Sequence, residues 1–386
     1  MHWFLGILGA LLALVWLDRL RDASAGLRSI PQIAGPEWDG RPEPAPPVSI
    51  IVAARNEEAH VEAAVGSLLA LDYPRYEVIA VNDRSTDRTG EILDGLARQN
   101  PVRLRVLHVS ELPPGWLGKP HAMGVAALQA TGDWLLFTDA DVTFRPDALR
   151  RAILNAEERH ADHLVLFPTA LMHSLSERMI FAFFPTLAVF GHRPWKVADP
   201  KTRDYVGMGA FNMIRRSAYE ALNVRLALRM DVLDDMKMGK LVKEGGYAQR
   251  VAAGYGLITL RWGHGVLGVL NNLNKNLFAL MLYHWPRTLG AAFLLLLINV
   301  GPFAGLAFAP GWARLGYAVA VGALALIYRE MSRYQRISIF YVVLHPISAL
   351  LVTGTLLRSM LLTLGQGGVV WRGTKYPIEE LRKGQV

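Results

Sequence analysis

The chain has 386 residues, of which 52% are hydrophobic and 19% are charged. This composition is too apolar for a disordered protein and long enough for more than one domain. It contains no cysteine, which excludes disulfides and thiolate metal sites. The net charge of +8 is spread along the chain without a run of five basic residues, so nucleic-acid binding is not expected.

The chain begins with a continuous apolar stretch, MHWFLGILGALLALVWL, which is followed by Arg19, Arg21 and Arg28. Positive charge after an apolar segment is typical of an uncleaved anchor, whereas a signal peptide carries its charge before that segment. About 17–20 helical residues can cross ~30 Å of hydrocarbon. We therefore predict a transmembrane anchor over residues 1–20. Because arginines favour the cytoplasmic side, the next domain should face the cytoplasm from the inner membrane.

Residues 48–285 alternate apolar runs with amphipathic stretches and are predicted to form one cytoplasmic domain. Residues 21–47, which include PQIAGPEWDGRPEPAPP, have the proline and glycine content of a linker. Apolar strands separated by helices predict a mostly parallel α/β sheet flanked by helices, whose ligands bind beyond the carboxyl ends of the strands. The predicted strands are 48–54, 76–82, 102–109, 133–139 and 163–167.

Three apolar segments follow, at 288–309, 312–328 and 339–363, and make residues 286–365 a second, α-helical membrane region of a multi-pass protein. Because Pro346 and Arg358 interrupt the last segment, it either spans fully or is bent and re-entrant. A full span would put the basic tail, residues 366–386, outside. Within the soluble region, the aromatic-rich residues 175–191 fit an interfacial helix or a buried core helix equally well.

Polar side chains follow the predicted strands where each one ends. Glu57 follows the first strand, Asp83 follows the second, and Lys119 precedes the fourth, which ends in Asp139 and Asp141. Carboxylates at i and i+2 on extended backbone point to the same side and repel each other unless a cation lies nearby. Oxygen ligands suit Mg²⁺ or Mn²⁺ and disfavour zinc or copper.

Each of these residues also has an ordinary structural explanation. Asp139 and Asp141 fit loop caps or ion-pair partners of Arg145, and Asp-x-Asp alone is a weak signal. Lys119 fits a solvated loop lysine. The functional interpretation gains weight because the polar strand ends recur in a consistent order.

Together these motifs resemble those of the family 2 glycosyltransferases, which have the GT-A fold. The successive matches are IIVAARNEE, VIAVNDRSTDRT, GKPHAMGVAALQATGDWLLFTDAD, GMGAFNMIRRSAYEAL and LDDMKMGKLVKEGG, and they cover residues 48–250. Lys275-Asn276 and the sequence WRGTKY at 371–376 resemble the membrane-bound branch, whose ceramide, carotenoid and hopanoid-associated enzymes glycosylate lipids. The resemblance implies a Rossmann-like GT-A domain with transmembrane helices at both ends of the chain.

By this resemblance, the polar strand ends bind a nucleotide-sugar donor, expected to be a UDP-sugar. Glu57 and Asp83 would hold the uridine and ribose, and Lys119 would lie near the donor. Asp139 and Asp141 would form the family's metal and diphosphate motif, with Mg²⁺ or Mn²⁺ as the cofactor.

The family's Glu-Asp motif aligns with Asp234-Asp235, which makes Asp235 the expected general base for the acceptor hydroxyl. In-line attack would then invert the anomeric centre. Asp234 and Asp235 also fit a helix N-terminus, where carboxylates offset the helix dipole. Asp231 is a nearby competitor for the role of base.

The expected function is therefore inverting, metal-dependent transfer of a single sugar from a UDP-sugar to a membrane lipid by a hexosyltransferase. Arg261-Trp262 lacks the leading residue of the Gln/Arg-x-x-Arg-Trp motif of processive synthases, which disfavours polymer synthesis. One alternative is a polyprenyl-phosphate sugar synthase, whose phosphate acceptor needs no strong base. Another is a non-catalytic membrane scaffold with a degenerate glycosyltransferase domain.

Overall fold

A computed structural model describes residues 2–335 and 337–385 of the chain. Its helices, numbered along the chain, are α1 His2–Leu27, α2 Val61–Leu69, α3 Thr89–Gln99, α4 Gly118–Gln129, α5 Ala148–Glu158, α6 Leu175–Ala188, α7 Arg216–Ala221, α8 Val224–Ala227, α9 Asp234–Glu244, α10 Gly265–Leu280, α11 Trp285–Asn299, α12 Gly301–Phe308, α13 Arg314–Gln335, α14 His345–Gln366 and α15 Ile378–Lys383. Its strands are β1 Val48–Ala54, β2 Tyr76–Asp83, β3 Leu104–Val109, β4 Trp134–Asp139, β5 Val142–Phe144, β6 His163–Phe167, β7 Thr169–Ala170, β8 Asn212–Arg215, β9 Gln249–Ala253, β10 Ile258–Leu260, β11 Gly368–Trp371 and β12 Thr374–Pro377.

The described residues divide into two compact units. Residues 2–29, 172–195 and 262–382 form the helical unit, and residues 30–171, 196–261 and 383–385 form the sheet unit. The predicted domain 48–285 is thus discontinuous, because its apolar segments 172–195 and 262–285 belong to the helical unit.

The sheet unit is built on seven strands in the order β3-β2-β1-β4-β8-β6-β9. Neighbouring strands run parallel except that β8 is antiparallel to both β4 and β6. The predicted mostly parallel α/β fold is therefore confirmed. The register pairs Ala53 with Asp139 and Ala54 with Asn82, so β1, β2 and β4 end level with one another. Their polar carboxyl ends consequently share one edge of the sheet.

Both faces of this sheet are covered, because side chains alternate between the faces along each strand. On one face Ile50 and Val52 pack in a core with α2 and α5. On the other face Ile51 packs in a core that includes Ala122 of α4 and Met238 of α9. Such two-sided burial explains why the strands read as continuous apolar runs such as VSIIVAA.

The segment predicted as a linker packs against α5. Arg150 Nη1 donates to the carbonyl oxygens of Asp39 and Gly40 at 2.6 and 2.8 Å, and Arg151 Nη1 donates to that of Gly35 at 2.6 Å. Both guanidinium groups also reach the Asp39 carboxylate, and the hydrogen bond from Arg150 is the main cause that lowers its pKa. The proline-rich composition of this segment indicates an irregular backbone. It does not reveal that Arg150 and Arg151 bind the carbonyl oxygens of that backbone.

In the helical unit, three of the described segments are long and apolar enough to cross a membrane: His2–Leu27, Gly311–Ser332 and Ile339–Gln366. The pair α11 and α12 is a fourth candidate, with a 46° bend between the two helices. Pro302 occupies the first turn of α12, and Pro346 occupies the first turn of α14, where a helix tolerates proline. The 46° bend thus lies within residues 285–308. The bend expected from Pro346 was in the segment 339–363 instead.

A glycine at a helix crossing and a group of buried polar side chains hold the candidate membrane helices together. Gly316 of α13 lies so close to α1 that a Cβ added to it would stand 2.6 Å from the Ala10 backbone nitrogen. Small residues at such crossings allow close backbone approach. The Tyr328 hydroxyl donates to His345 Nδ1 at 3.0 Å, and His345 Nε2 donates to Asn299 Oδ1 at 3.0 Å. This contact ties α13 and α14 to the end of α11, next to the bend.

The segment predicted as either an interfacial or a core helix forms α6. Its Ile180 packs with Val269 and Leu270 of α10, and its Phe183 packs with Val352 of α14. Ser174 and Glu177 cap its first turn, and the Glu177 carboxylate also accepts the Gly265 N–H at 2.6 Å. The helix is therefore an internal element of the helical unit.

Candidate active site

The loops after β1 and β2 are joined by hydrogen bonds at the shared sheet edge. The Thr86 N–H donates to Asn56 Oδ1 at 2.8 Å, and the Glu57 N–H donates to Thr89 Oγ1 at 2.8 Å. Asn56 has a φ of 53°, a conformation that asparagine tolerates better than most residues. These hydrogen bonds between the two loops fix the backbone of Glu57, one of the residues predicted to bind the nucleotide.

Asp83, at the end of β2, is buried and already paired. The neighbouring Arg84 donates to both of its carboxylate oxygens, from Nε at 2.7 Å and from Nη2 at 3.0 Å. Gly118 lies beside this pair, and an added Cβ there would come within 2.6 Å of Arg84 Nη2 and 2.7 Å of Asp83 Oδ2. The glycine before Lys119 is thus required for α4 to begin next to the carboxylate.

Glu57, Asp139 and Asp141 bring negative charge together at this edge. Burial is the main cause that raises the pKa of Asp141 to about 6, and the nearby Asp139 and Glu57 carboxylates raise it further. The Asp139 side chain is 39% exposed. Asp139 and Asp141 therefore form a partly open pair of oxygen donors that suits a hard cation.

Lys119 reaches the middle of the site from the first turn of α4. Its Nζ lies 2.6 Å from Asp139 Oδ1 and 3.7 Å from Asp234 Oδ2. Burial alone would lower the pKa of Lys119, but Asp139, Asp234 and Asp235 together raise it, so the side chain is a firmly held cation. The predicted donor lysine thus also joins the two acidic motifs.

Gly209 links Asp139 to the predicted base. The Asp139 N–H donates to the Gly209 carbonyl at 3.0 Å, and the Gly209 N–H donates to Asp235 Oδ2 at 2.8 Å. A Cβ added to Gly209 would collide with the Asp139 carboxylate, and one added to Gly207 would stand 2.8 Å from the Cα of Met236. The sequence matched this GMG segment to the family without assigning it a role.

The acidic residues around the start of α9 have different surroundings. Asp231 is buried, accepts the Leu233 N–H at 2.9 Å and lies 3.8 Å from Lys237 Nζ. Asp234 is also buried and faces Lys119. Asp235 is half-buried, and its carboxylate accepts the backbone N–H groups of Gly209 and Met236. The competing base Asp231 is therefore enclosed, whereas Asp235 is accessible.

A chain of buried polar side chains lies behind Asp235. Asn212 Nδ2 donates to the Asp235 carbonyl at 3.1 Å, and His163 Nε2 donates to Asn212 Oδ1. Gln249 Nε2 donates to His163 Nδ1 at 2.8 Å and to the Val206 carbonyl at 2.9 Å. Sequence reasoning missed these three residues for different reasons. His163 begins a predicted strand, Asn212 lies in the matched GMG segment without an assigned role, and Gln249 follows the last matched motif.

Residues 49–222 match the family described as glycosyl transferase family 2. The chain carries a family 2 glycosyltransferase domain. The predicted family and enzyme class are therefore confirmed. The strand-end residues from Glu57 to Asp141 and Gly209 lie within the matched residues, whereas Asp234 and Asp235 follow them.

Two relatives of known name are similar to this glycosyltransferase. A beta-monoglucosyldiacylglycerol synthase from Synechocystis sp. is 40% identical over 131 residues, which cover 33% of this chain and 27% of that protein. The match thus spans about a quarter of that relative. A 4,4'-diaponeurosporenoate glycosyltransferase from Staphylococcus aureus is 23% identical over 346 residues, which cover 86% of this chain and 89% of that protein.

A solved structure shares the fold of the glycosyltransferase chain. It is a mannosyltransferase from Pyrobaculum calidifontis in complex with GDP-Man and Mn²⁺. The two chains have a TM-score of 0.51 and 17% identity, and the match covers 94% of this chain and 99% of that one. The similarity supports the predicted GT-A fold.

Proposed function

We propose that the protein transfers a single sugar, with inversion, from a UDP-sugar to the hydroxyl of a membrane lipid. One observation carries the proposal: Gly209 bonds at once to Asp139 of the Asp-x-Asp pair and to the carboxylate of Asp235. A donor diphosphate beside Asp139 would thus lie next to a group able to accept a proton from the attacking hydroxyl.

The donor set of the site fits a divalent cation. Asp139 and Asp141 would hold it, since the pKa of Asp141 is raised mainly by burial and further by the Asp139 and Glu57 carboxylates, and a bound cation would offset both effects. Among the residues that the structure describes, no group of three or more His, Cys, Asp or Glu side chains has metal-binding geometry. Substrate oxygens and water would therefore complete the coordination, as is usual for Mg²⁺. When bound, Mg²⁺ or Mn²⁺ stabilises the charge that develops on the departing diphosphate.

Other residues of the site would bind the donor and accept the proton of the acceptor. Glu57 and Asp83 would orient the nucleoside part of the donor from the hydrogen-bonded loops that follow β1 and β2. Lys119, held as a cation, would keep the two acidic motifs at a fixed separation and add positive charge beside the diphosphate. Asp235 would accept the proton of the acceptor hydroxyl, because its carboxylate is held by backbone N–H groups and remains accessible.

A lipid acceptor is supported by the apolar helices and by the names of the relatives. A lipid hydroxyl leaves the bilayer only at a cost of ~0.8 kcal/mol per CH₂ group, so the enzyme must meet it at the membrane. Both relatives above are named for lipid-like products or substrates. The arginines after the first apolar segment favour a cytoplasmic active site, where nucleotide sugars are available to it.

The proposal is tested with the full-length protein in detergent or vesicles, by measuring UDP release and lipid glycosylation with a panel of UDP-sugars. Asp235→Asn should lower transfer by about 10²–10⁴-fold, the usual contribution of a general base, and leave UDP binding unchanged. The matched control Asp94→Asn alters an exposed carboxylate that contacts His108 and should retain full activity.

Two outcomes would redirect the proposal. Full activity of Asp235→Asn, together with a lipid-phosphate product, would favour a polyprenyl-phosphate sugar synthase. The absence of both UDP release and nucleotide binding with every UDP-sugar would overturn the enzymatic role.

A further inference from the structure

Three buried polar side chains, Asn212 on β8, His163 on β6 and Gln249 on β9, form a network that reaches Asp235 from inside the sheet unit. Each of them is at most 1% exposed. The register pairs His163 with Gln249, and it pairs Asn212 with the residue two positions further along β6. Because side chains alternate along a strand, all three lie on one face of the sheet. Burying polar groups is costly unless they are hydrogen-bonded to one another or to the backbone.

Backbone groups at the two ends fix the direction of the hydrogen bonds in this network. The Asp235 carbonyl can only accept, so the Asn212 atom 3.1 Å from it is the amide nitrogen, and Asn212 Oδ1 accepts from His163 Nε2. At the other end, Gln249 Oε1 accepts the Val206 N–H at 3.0 Å, and Gln249 Nε2 donates to the Val206 carbonyl at 2.9 Å. His163 Nδ1 therefore accepts from Gln249 Nε2 at 2.8 Å, as a neutral imidazole can. Burial lowers the pKa of His163 to about 4, which agrees with a neutral ring.

The network joins the two segments that hold the predicted base. Asp235 is held twice, by Asn212 at its carbonyl oxygen and by Gly209 at its carboxylate. Gln249 bonds both backbone groups of Val206, three residues before Gly209. Loss of a network member would therefore shift the carboxylate relative to the N–H that holds it. Since the three side chains are buried, they can affect the acceptor only through the residues that they hold.

We propose that Asn212, His163 and Gln249 are positioning residues, which keep the Asp235 carboxylate within reach of the acceptor hydroxyl. The inference rests on the proposed role of Asp235 as the general base. A base must lie within about 2.6–3.2 Å of the atom whose proton it takes, so a small shift of the carboxylate impairs the transfer. A network that served only stability would change the melting temperature and leave the turnover of the folded protein unaltered. A positioning network should lower kcat and leave the KM for the UDP-sugar unchanged.

The test measures kcat and KM for the full-length protein in detergent. It uses the UDP-sugar of the panel above that supports most transfer, with vesicles of total membrane lipid as the acceptor. Asn212→Ala should lower kcat by about tenfold or more with KM within about twofold, because a misplacement of ~1 Å can cost about 10²-fold. Gln249→Met removes the amide furthest from Asp235 and should lower kcat by a smaller factor.

The matched control is Ser49→Ala, which also removes a fully buried hydrogen-bonding group from the sheet. Ser49 lies near the amino end of β1, away from the carboxyl ends of the strands, and its Oγ accepts the Gly132 N–H at 2.8 Å. This variant should melt at a lower temperature than the unaltered protein and keep its kcat.

A double-mutant cycle determines whether the effect of Asn212 passes through Asp235. Asn212→Ala is combined with Asp235→Asn, and the slow residual transfer is followed with a radiolabelled UDP-sugar. Once the base is removed, its position no longer matters, so the added Asn212→Ala should lower kcat by less than about twofold.

The outcomes separate this inference from the proposed function. If Asp235→Asn is impaired but Asn212→Ala turns over as fast as Ser49→Ala, the positioning role is overturned and the base stands. An equal loss from Asn212→Ala in both backgrounds overturns the positioning role as well. Full activity of Asp235→Asn overturns the base and the positioning role together. Size-exclusion profiles verify folding, and Gln249→Met takes the place of Asn212→Ala in the cycle if the latter does not fold.

Discussion

At the residue scale, Gly209 is the point where the predicted metal motif and the predicted base meet. Its carbonyl accepts from Asp139 and its N–H donates to Asp235. A side chain at this position would have to displace the Asp139 carboxylate, whose Cγ lies 3.2 Å from the ideal Cβ position. One residue therefore couples two groups that are far apart in the sequence.

We expect Gly209→Ala to lower transfer by at least about tenfold, because shifting either carboxylate by about 1 Å disturbs the alignment of donor and acceptor. The measurement is steady-state transfer, with UDP binding by calorimetry as a second readout. Gly66→Ala in α2 is the control, since its added Cβ meets nothing within 4 Å. Equal activity of the two variants would show that Gly209 does not couple the motifs.

His163 gives the sheet unit a pH-dependent stability. Burial lowers its pKa to about 4, although the bond to Asn212 opposes this. The unfolded chain, with a histidine pKa near 6.5, binds the proton first as the pH falls, so stability is full above about 6.5 and declines towards 4. The loss reaches about 3 kcal/mol.

Melting temperatures of the full-length protein between pH 7 and pH 4.5 check this expectation. His163→Gln should melt lower than the unaltered protein at pH 7, yet its melting temperature should fall less steeply on acidification. A variant whose curve runs parallel to that of the unaltered protein would assign the pH dependence to other groups.

The acidic motifs of the site could be predicted from sequence, but their mutual contacts could not. Asp139 and Asp141 follow a strand whose apolar run is plain, and the register of β1 and β4 does bring them to the edge with Glu57. The bond between Lys119 and Asp139 depends on where α4 begins. The contact of Gly209 with Asp235 depends on how the chain between them folds, and the spacing of the motifs in the sequence does not determine this.

At the scale of elements, α1 and α13 cross with their backbones in near contact. Gly316→Ala should separate the helices, because the new Cβ would stand 2.6 Å from Ala10 N. We expect a lower melting temperature in detergent. Gly322→Ala lies in the same helix with open space around its Cβ, and it should leave the melting temperature unchanged or raise it, since alanine is the better helix former. Equal melting temperatures would mean that the crossing tolerates a wider spacing.

The candidate membrane helices could be predicted from hydropathy, but their bends could not. The apolar residues 288–309 fit one span, whereas the structure divides them between α11 and α12 at a 46° bend. Gly301 and Pro302 weaken the helix at this place. The direction of the chain there also depends on Asn299 contacting His345, a partner supplied by α14.

At the scale of the whole molecule, the chain passes repeatedly between the two units, because residues 172–195 leave the sheet unit and join the helical unit. A predicted continuous domain over 48–285 followed from the order of motifs along the chain. Hydropathy alone could not exclude α6 from that domain, since a short apolar helix also fits a globular core.

This arrangement predicts how a fragment of residues 30–261, cut to resemble a soluble enzyme, will behave. It would keep α6 but lose α10 and α14, leaving Ile180 and Phe183 without the residues that bury them. Exposing such side chains costs about 1.5–3 kcal/mol each and creates an apolar patch. We expect the fragment to aggregate without detergent, as judged by light scattering, and to become monodisperse when detergent is added. The double substitution Ile180→Ser and Phe183→Ser should reduce the aggregation. A monodisperse unaltered fragment in detergent-free buffer would instead mean that α6 folds onto the sheet unit when the helical unit is absent.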